Sequence, residues 1–213
     1  LLIQPDQVKV WQETVNDAAF PARMVLYNLP AMPGQTADYD VVAEAAVTLR
    51  EIETDKLRVP GIKLVADGSI QGWTAVVMEP GYFTGEDHGL LLFSPEDLLA
   101  ALRAFHTRKL NVHCHCNGNG AGELFIDAVE DALRTQAWLD HRHVLQHSQM
   151  TTAAQYRRMG RLGICANIFT NHIWYWGDQH YEFTMGPERT RGMWACRTAL
   201  ENRVPLSFHT DSG

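Results

Sequence analysis

Strand-like and helix-like segments alternate along nearly the whole chain of 213 residues, and no hairpin turn joins two strands directly. Short apolar runs predict six strands, at residues 23–29, 61–66, 110–116, 142–146, 163–169 and 204–209. Helical spacing of apolar residues predicts helices at 6–19, 38–53, 94–108, 121–135, 152–159 and 187–201. Because strands that are joined through helices run parallel, this order predicts an α/β fold with one parallel sheet in a single domain.

Composition and charge exclude several classes of protein. The chain has 46% hydrophobic and 20% charged residues, as an ordinary globular domain does. Its longest apolar runs, such as residues 90–93, hold about four residues, whereas a membrane span needs about 20, so no membrane partner is expected. The net charge is −7 and no basic run is present, which argues against nucleic acid as a partner. Four cysteines without a CxxC pair favour a reducing compartment, and we expect a cytoplasmic protein.

Histidines mark the ends of several predicted strands. His115 and His147 each end a strand, His172 lies just past the next, and His209 with Asp211 ends the last. In a parallel barrel these ends face one shared mouth, where imidazole and carboxylate groups can bind zinc or a similar ion. A lone histidine at a strand end is usually a packing residue, but four strand ends in succession favour a metal site.

The segment around His115 carries two further patterns. Strand alternation places His113 and His115 on one face and Cys114 and Cys116 on the other, so the cysteines are expected to pack in the core. The glycine-rich run 117–122 lacks the lysine and the spacing of a phosphate-binding loop, and it favours a tight strand-to-helix turn. The long stretches 67–92 and 170–186 exceed ordinary connections and are expected to be functional loops.

Five sequence motifs occur in a fixed order from residue 61 to the C-terminus. They are Lys63 with Asp67-Gly68-Ser69, the run His115-Cys116-Asn117-Gly118-Asn119, the segment 142–149, the blocks 171–178 and 186–189, and Ser207-x-His209-x-Asp211. Together they resemble the motifs of the YtcJ-like branch (amidohydrolase family 3) of the amidohydrolase superfamily.

The resemblance implies a partial (β/α)8 TIM barrel of the metal-dependent hydrolase type, comprising roughly strands three to eight. It implies that Lys63, His115, His147 and Asp211 bind a divalent metal, one or two ions and most simply zinc. The implied reaction is hydrolysis of a non-peptide C–N bond in a small amide-type substrate, with Asp211 as general base and then acid. The residues implied to line the substrate pocket are Asp67, Ser69, Gln71, His172, Trp176, Asp178 and His209.

The aromatic run Trp174–Tyr175–Trp176 indicates either an apolar or aromatic substituent on the substrate or ordinary packing of a long loop. Arg189 is expected to anchor a loop through an ion pair. Asn119 and Gln146 stand where the family has Asp and Glu, and each substitution removes a negative charge beside a metal ligand.

The family's barrel begins with another HxH pair on strand one, after a β-sandwich, and no such pair precedes Arg23. His113-x-His115 is not that pair, because only 98 residues follow it and seven further strand–helix units need roughly 200. We therefore expect the sandwich, strands one and two and the C-terminal end to be missing, and the chain alone to be inactive. The alternative is a non-catalytic, truncated barrel with an incomplete metal site, stable as a homo-oligomer. A doubly wound binding or redox module is a third, less favoured option.

Overall fold

The strands form one curled parallel sheet, part of a barrel, in the computed structural model, which describes residues 2–3, 7–30, 35, 37–85 and 89–211. The seven strands pair in chain order and all run parallel. They are β1 Leu2–Ile3, β2 Met24–Asn28, β3 Leu57–Val65, β4 Asn111–Cys116, β5 Val144–His147, β6 Cys165–Ile168 and β7 Leu206–Phe208. The predicted partial α/β barrel is confirmed.

The first strand corrects the sequence analysis, which placed no strand before Arg23. Leu2 and Ile3 pair with Tyr27 and Asn28 of β2. Two residues are too short for an alternation pattern to be recognised, so only the sheet itself reveals β1. The barrel segment therefore has one more strand than the six that were predicted.

Eight α-helices follow in the described parts of the chain. They are α1 Val8–Asn16, α2 Tyr39–Thr48, α3 Pro95–Thr107, α4 Asn119–Thr135, α5 Ala153–Leu162, α6 Asn171–Gln179, α7 Gly186–Thr190 and α8 Cys196–Glu201. The Ser94 side chain caps α3 by accepting a hydrogen bond from Asp97 N at 3.1 Å, as its sequence predicts. None of the helices in these described parts combines the length and the apolar character that crossing a membrane requires.

Two predictions after β6 are wrong. The stretch 170–186 was expected to be a loop, but it contains α6 and a π-helical turn, His180–Thr184. The single helix expected over 187–201 is instead split into α7 and α8. The break includes Trp194, whose backbone is left-handed (φ 51°) and whose N–H donates to Gln149 O at 3.0 Å. This tertiary hydrogen bond overrides the local helical pattern.

The main core lies between the convex face of the sheet and the helices. In β4 the side chains of Val112, Cys114 and Cys116 are buried in this core, whereas those of His113 and His115 face the opposite, concave side. The two cysteines are therefore packing residues, as predicted. Residues 67–92 between β3 and α3 contain no helix or strand in their described part, in agreement with the predicted long loop.

Polar side chains form a ladder across the concave face. Ser207 Oγ donates to Asn167 Oδ1 (2.9 Å), Asn167 Nδ2 donates to Gln146 Oε1 (2.8 Å), and Gln146 Nε2 lies 2.6 Å from His113 Nδ1. Tyr27 stacks on His113 with ring centroids 3.8 Å apart. Gln146 thus joins β4 to β6, where glutamate would lack the N–H donor that Gln146 presents to His113.

The pairing of α4 with α5 depends on Arg158, which contacts three carboxylates. Its guanidinium bonds to Glu123, to Asp127 at 2.6 Å and to Glu130 at 2.8 Å. We expect Arg158→Met to lower the free energy of unfolding by about 1–3 kcal/mol, because Glu123 and Asp127 would lose the cation that they share and only Glu130 would keep one, Arg134 at 2.7 Å. Urea unfolding measures the change. Arg157→Met, at an exposed position on the same helix, is the control, and equal effects in both variants would contradict this role.

Candidate metal centre and active site

Four histidines converge at the carboxyl ends of the strands, the end that the sequence predicts to be the mouth. The ring centroids of His115 and His147 are 4.4 Å apart, and those of His147 and His209 are 4.8 Å apart. Phe169 links this group to His172, with centroid distances of 4.7 Å to His209 and 3.7 Å to His172. Strand ends far apart in sequence therefore supply one continuous row of rings.

The orientation of His115 is set by the loop that follows β3. Its Nε2 lies 2.9 Å from Gly68 O, which can only accept a hydrogen bond, so Nε2 carries the hydrogen and Nδ1 is unprotonated. Burial lowers the pKa of His115 to about 4. The imidazole is therefore neutral at pH 7, the form that binds metal ions.

Asp67 holds this loop against the start of α4. Its carboxylate accepts hydrogen bonds from the backbone N–H groups of Val76 (3.0 Å), Asn117 (2.9 Å) and Gly118 (2.8 Å). It also lies 3.5 Å from His115 Nε2. Burial raises the pKa of Asp67 to about 7, and the three N–H donors oppose that rise. Asp67 is 1% exposed. Its contacts hold the loop after β3 and the start of α4 next to His115.

His147 occupies a strained turn at the end of β5. Both His147 (φ 73°) and Ser148 (φ 49°) have left-handed backbones, which are costly for residues other than glycine. Ser148 Oγ forms hydrogen bonds with Thr151 Oγ1 (2.7 Å) and Tyr156 OH (3.0 Å), in at most one of which it is the donor, and these bonds hold the turn. Burial lowers the pKa of His147 well below its ordinary value, and its Nδ1 is buried without a hydrogen-bond partner among the described residues.

Lys63 and Asp211 complete the predicted ligand set. Lys63 pairs in register with His113 on β4, and burial lowers the pKa of its ammonium while the negative charge of Asp211 opposes this. Asp211 is exposed, and its charge also raises the pKa values of His115, His172 and His209, each of which burial lowers. The charge of Asp211 is therefore felt by three of the four histidines.

The donor chemistry suits a divalent cation, although the arrangement is open. Two neutral imidazoles stand side by side, and one of them has an unsatisfied buried nitrogen. In the described part of the chain, however, no three His, Cys, Asp or Glu side chains stand close enough together to hold an ion. The structure thus assembles the His115–His147 pair, and the role of Asp211 and Lys63 as further ligands stays a prediction.

The predicted substrate residues lie on the loop after β3 and on α6, except His209, which directly follows β7. Ser69 belongs to a turn closed by Thr74, and the side-chain oxygen of Gln71 is buried without a partner among the described residues. Gln179 Nε2 of α6 lies 3.5 Å from Gln71 O, so the two segments meet. His209 is half-buried beside His147.

The aromatic run lies on α6, not on a loop. Trp174 is 87% exposed and Tyr175 is 71% exposed, so neither packs in the core, whereas Trp176 is half-buried. Asp178 shares with Trp174 and Tyr175 a surface groove of about 810 Å³. The alternative that these aromatics merely pack the segment is wrong for Trp174 and Tyr175.

Three expectations about neighbouring residues need correction. Asn119 Oδ1 accepts from Met78 N at 2.8 Å, and Gln146 belongs to the polar ladder, so neither amide touches a predicted metal ligand. Asn119 and Gln146, which stand where the family has Asp and Glu, therefore take no part in the hydrogen bonding of His115 and His147. Arg189 does anchor a loop, but it donates to the carbonyl of Gly81 and pairs with no carboxylate among the described residues.

The glycine-rich run 117–122 is a tight strand-to-helix turn, as predicted. The N–H groups of Asn117 and Gly118 donate to Asp67, so an internal carboxylate occupies the position that an anion would take in a phosphate-binding loop. Gly118 must be glycine for a steric reason, because a Cβ there would stand 2.0 Å from Val76 O.

Three residues shape the site without having been predicted from the sequence. Asn117 Nδ2 lies 3.1 Å from His115 Nε2 and 2.7 Å from Gly68 O, Gln149 Nε2 lies 2.9 Å from His172 Nδ1, and Phe169 packs between two histidines. Asn117 and Gln149 lie inside two of the five motifs, so membership of a motif could have identified them as site residues. Phe169 lies outside the motifs, and no sequence signal points to it.

Comparison with known proteins gives the family. A model of the amidohydrolase family matches residues 3–213. The chain belongs to the amidohydrolase family. A curated relative, Protein LONG AFTER FAR-RED 3 from Arabidopsis thaliana, is 27% identical over 113 residues, which are 53% of this chain and 19% of the plant protein.

Solved structures similar to this amidohydrolase chain agree with its fold. A metal-dependent hydrolase from Pyrococcus furiosus has a TM-score of 0.78 at 22% identity, with 100% of this chain and 42% of that chain covered. One from Pyrococcus horikoshii OT3 has a TM-score of 0.77 at 18% identity, with 100% and 40% covered. A Xaa-Pro dipeptidase with bound methionine gives 0.55 at 15% identity, with 96% and 52% covered. The chain thus spans about two fifths of the length of the two Pyrococcus hydrolases.

Proposed function

We propose that this amidohydrolase chain carries the metal-binding and substrate-binding half of a metal-dependent hydrolase of the YtcJ-like branch. The substrate would be a small molecule with a non-peptide C–N bond: an amide, a formamide or an imide. The observation that carries the proposal is the adjacent pair His115 and His147, both neutral, with a buried, unpartnered nitrogen on His147. Family membership supports the same chemistry.

His115 and His147 would hold the ion, with Lys63 and Asp211 as the remaining donors. A bound divalent cation, zinc in the first instance, would act as a Lewis acid toward the substrate carbonyl and toward water. Asp211 would accept a proton from the attacking water and return it to the leaving nitrogen. A C–O bond forms at the carbonyl carbon as the C–N bond breaks, giving a carboxylic acid and an amine.

The substrate would bind between the loop after β3 and α6. His172 and Trp176 would contact its body, and Trp174 and Tyr175 would contact an apolar or aromatic substituent at the rim. Because a similar fold occurs in a Xaa-Pro dipeptidase, a substrate panel has to contain dipeptides as well as small amides. Four free cysteines favour a reducing compartment such as the cytoplasm.

A second candidate is a chain that does not catalyse by itself and associates with copies of itself. It is supported by the lack of a three-ligand cluster among the described residues and by a cavity of about 690 Å³ open on the concave face. Phe208, on the last strand of the sheet, is 58% exposed. Sedimentation velocity distinguishes a monomer from such an oligomer.

Metal binding tests the proposed centre directly. In equilibrium dialysis of the 213-residue chain against zinc or manganese, we expect His147→Asn to weaken binding at least about 10-fold, because one of two adjacent donors is lost. His141→Asn, at a buried histidine before β5, is the matched control and should bind as the parent does. Equal binding by the parent and His147→Asn would exclude His147 as a ligand.

Activity is expected to need more of the barrel. We expect the 213-residue chain to hydrolyse a panel of amides, formamides, imides and dipeptides at no more than background, because its described residues bring no three His, Cys, Asp or Glu side chains close enough together to hold an ion. A longer protein that contains the chain should turn over a non-peptide member with added metal and lose that activity in Asp211→Asn. Metal-dependent turnover by the short chain, abolished by Asp211→Asn, would contradict this view.

A further inference from the structure

Gln149 is a fully buried residue to which the proposed chemistry gives no role. It lies in the turn between β5 and α5, two residues after His147, and its backbone O accepts a hydrogen bond from Trp194 N at 3.0 Å. Its side-chain Nε2 lies 2.9 Å from His172 Nδ1, while its Oε1 is buried without a partner among the described residues. The hydrogen bond to His172 is therefore the one that the Gln149 side chain forms among the described residues.

The contact defines the state of the His172 ring. An amide N–H₂ group only donates, so Nδ1 of His172 accepts and its hydrogen must reside on Nε2. Phe169 packs on the same ring with centroids 3.7 Å apart, which fixes the plane of the imidazole. A glutamine kept for packing alone would be replaceable by an apolar side chain, which leaves no carbonyl oxygen unsatisfied in the interior.

We propose that Gln149 is a positioning residue that holds His172 as the neutral Nε2–H tautomer, so that His172 donates a hydrogen bond to an acceptor oxygen of the substrate. The role of His172 as a substrate contact rests on the proposed function, whereas the tautomer does not. No described residue forms a hydrogen bond to His172 Nε2, so that N–H remains free for a ligand. The substrate class that such a donor recognises is one with a carbonyl or carboxylate oxygen near the C–N bond.

Nitrogen-15 NMR of the histidine side chains tests the tautomer in the 213-residue chain itself. We expect the parent to show His172, assigned by its absence in His172→Asn, with hydrogen on Nε2 and an acceptor-type Nδ1. Gln149→Glu places an acceptor at the same site, so hydrogen should appear on Nδ1. Gln179→Met, on the same helix as His172, is the control and should leave the tautomer unchanged. Hydrogen on Nδ1 in the parent would overturn the proposal without any variant having to fold.

The catalytic consequence needs the active, metal-loaded protein. There Gln149→Met should lower kcat at least about 10-fold with the metal content unchanged, while Gln136→Met, a control at the end of α4 and away from the mouth, stays near the parent. Normal kcat in Gln149→Met would overturn the positioning role. If the parent hydrolyses nothing, the proposed function fails but the NMR result still decides the tautomer.

Discussion

Replacing Gly118 with alanine is expected to lower the free energy of unfolding by about 3 kcal/mol or more. A Cβ at this position would stand 2.0 Å from Val76 O, 2.4 Å from Val76 C and 2.8 Å from Val76 N, so a backbone rather than a flexible side chain has to move. Moving residue 76 also breaks the hydrogen bonds Val76 N to Asp67 and Gly120 N to Val76 O. The loop that orients His115 would then detach from the start of α4.

Gly122 provides the matched control four residues later in the same glycine-rich run. A Cβ there would lie 3.5 Å from Leu145 Cδ1, an ordinary contact distance, and the residue is inside α4. Gly122→Ala should therefore be neutral or stabilise the protein by up to about 1 kcal/mol through helix propensity. Urea unfolding of both variants measures the difference. Similar stabilities for the two would mean that the loop after β3 does not pack on Gly118.

The regular part of this fold could be predicted because it depends on local signals. Alternating strands and helices gave the parallel order, and the Ser94–Pro95 start of α3 gave its cap. The errors fall where tertiary contacts decide. Strand β1 has only two residues and is defined by its pairing with β2. The helix expected over 187–201 is interrupted where the backbone N–H of Trp194 donates a hydrogen bond to Gln149 O.

The candidate site follows the same division. That His115, His147 and His209 would meet at one mouth follows from the topology of parallel strands, since all their carboxyl ends lie at the same edge. The roles of Asn119 and Gln146 could not be predicted, because sequence neighbours of a ligand can point elsewhere. Gln146 follows the strand alternation into the polar ladder, whereas the left-handed turn at His147 redirects the next side chains.

A second group of histidines, away from the mouth, is expected to make stability strongly dependent on pH. His143 Nδ1 accepts from Val112 N (3.0 Å), so its Nε2–H donates to His106 Nδ1 (2.9 Å), and His106 Nε2–H donates to Gln136 O (2.8 Å). His141 accepts from His143 N (2.9 Å). Every ring is buried, and each accepts one of these hydrogen bonds at its Nδ1, which must therefore be unprotonated.

Burial lowers the pKa values of His106, His141 and His143. The hydrogen bond to Gln136 O opposes the shift of His106 and Lys109 adds to it, whereas the hydrogen bond to Leu162 O and the charge of Asp140 oppose the shift of His141. Below about pH 6.5 the unfolded chain binds protons that the folded chain excludes. The stabilising contribution of each ring is therefore fully present above that pH and is lost on acidification. Each histidine contributes a slope of about 1.4 kcal/mol per pH unit until its folded-state pKa is reached.

Urea unfolding between pH 8 and pH 5 should show this slope only below about pH 6.5, and His141→Asn should reduce it there by up to about 1.4 kcal/mol per pH unit. Asparagine can still accept from His143 N through its side-chain oxygen but takes up no proton in this range. Burial raises the pKa of Asp67 to about 7, which favours the folded state on acidification and opposes the histidines, but it does so equally in parent and variant. Between pH 8 and pH 9 both proteins should show no histidine slope. An unchanged slope in His141→Asn would mean that the folded protein accepts the proton at this ring.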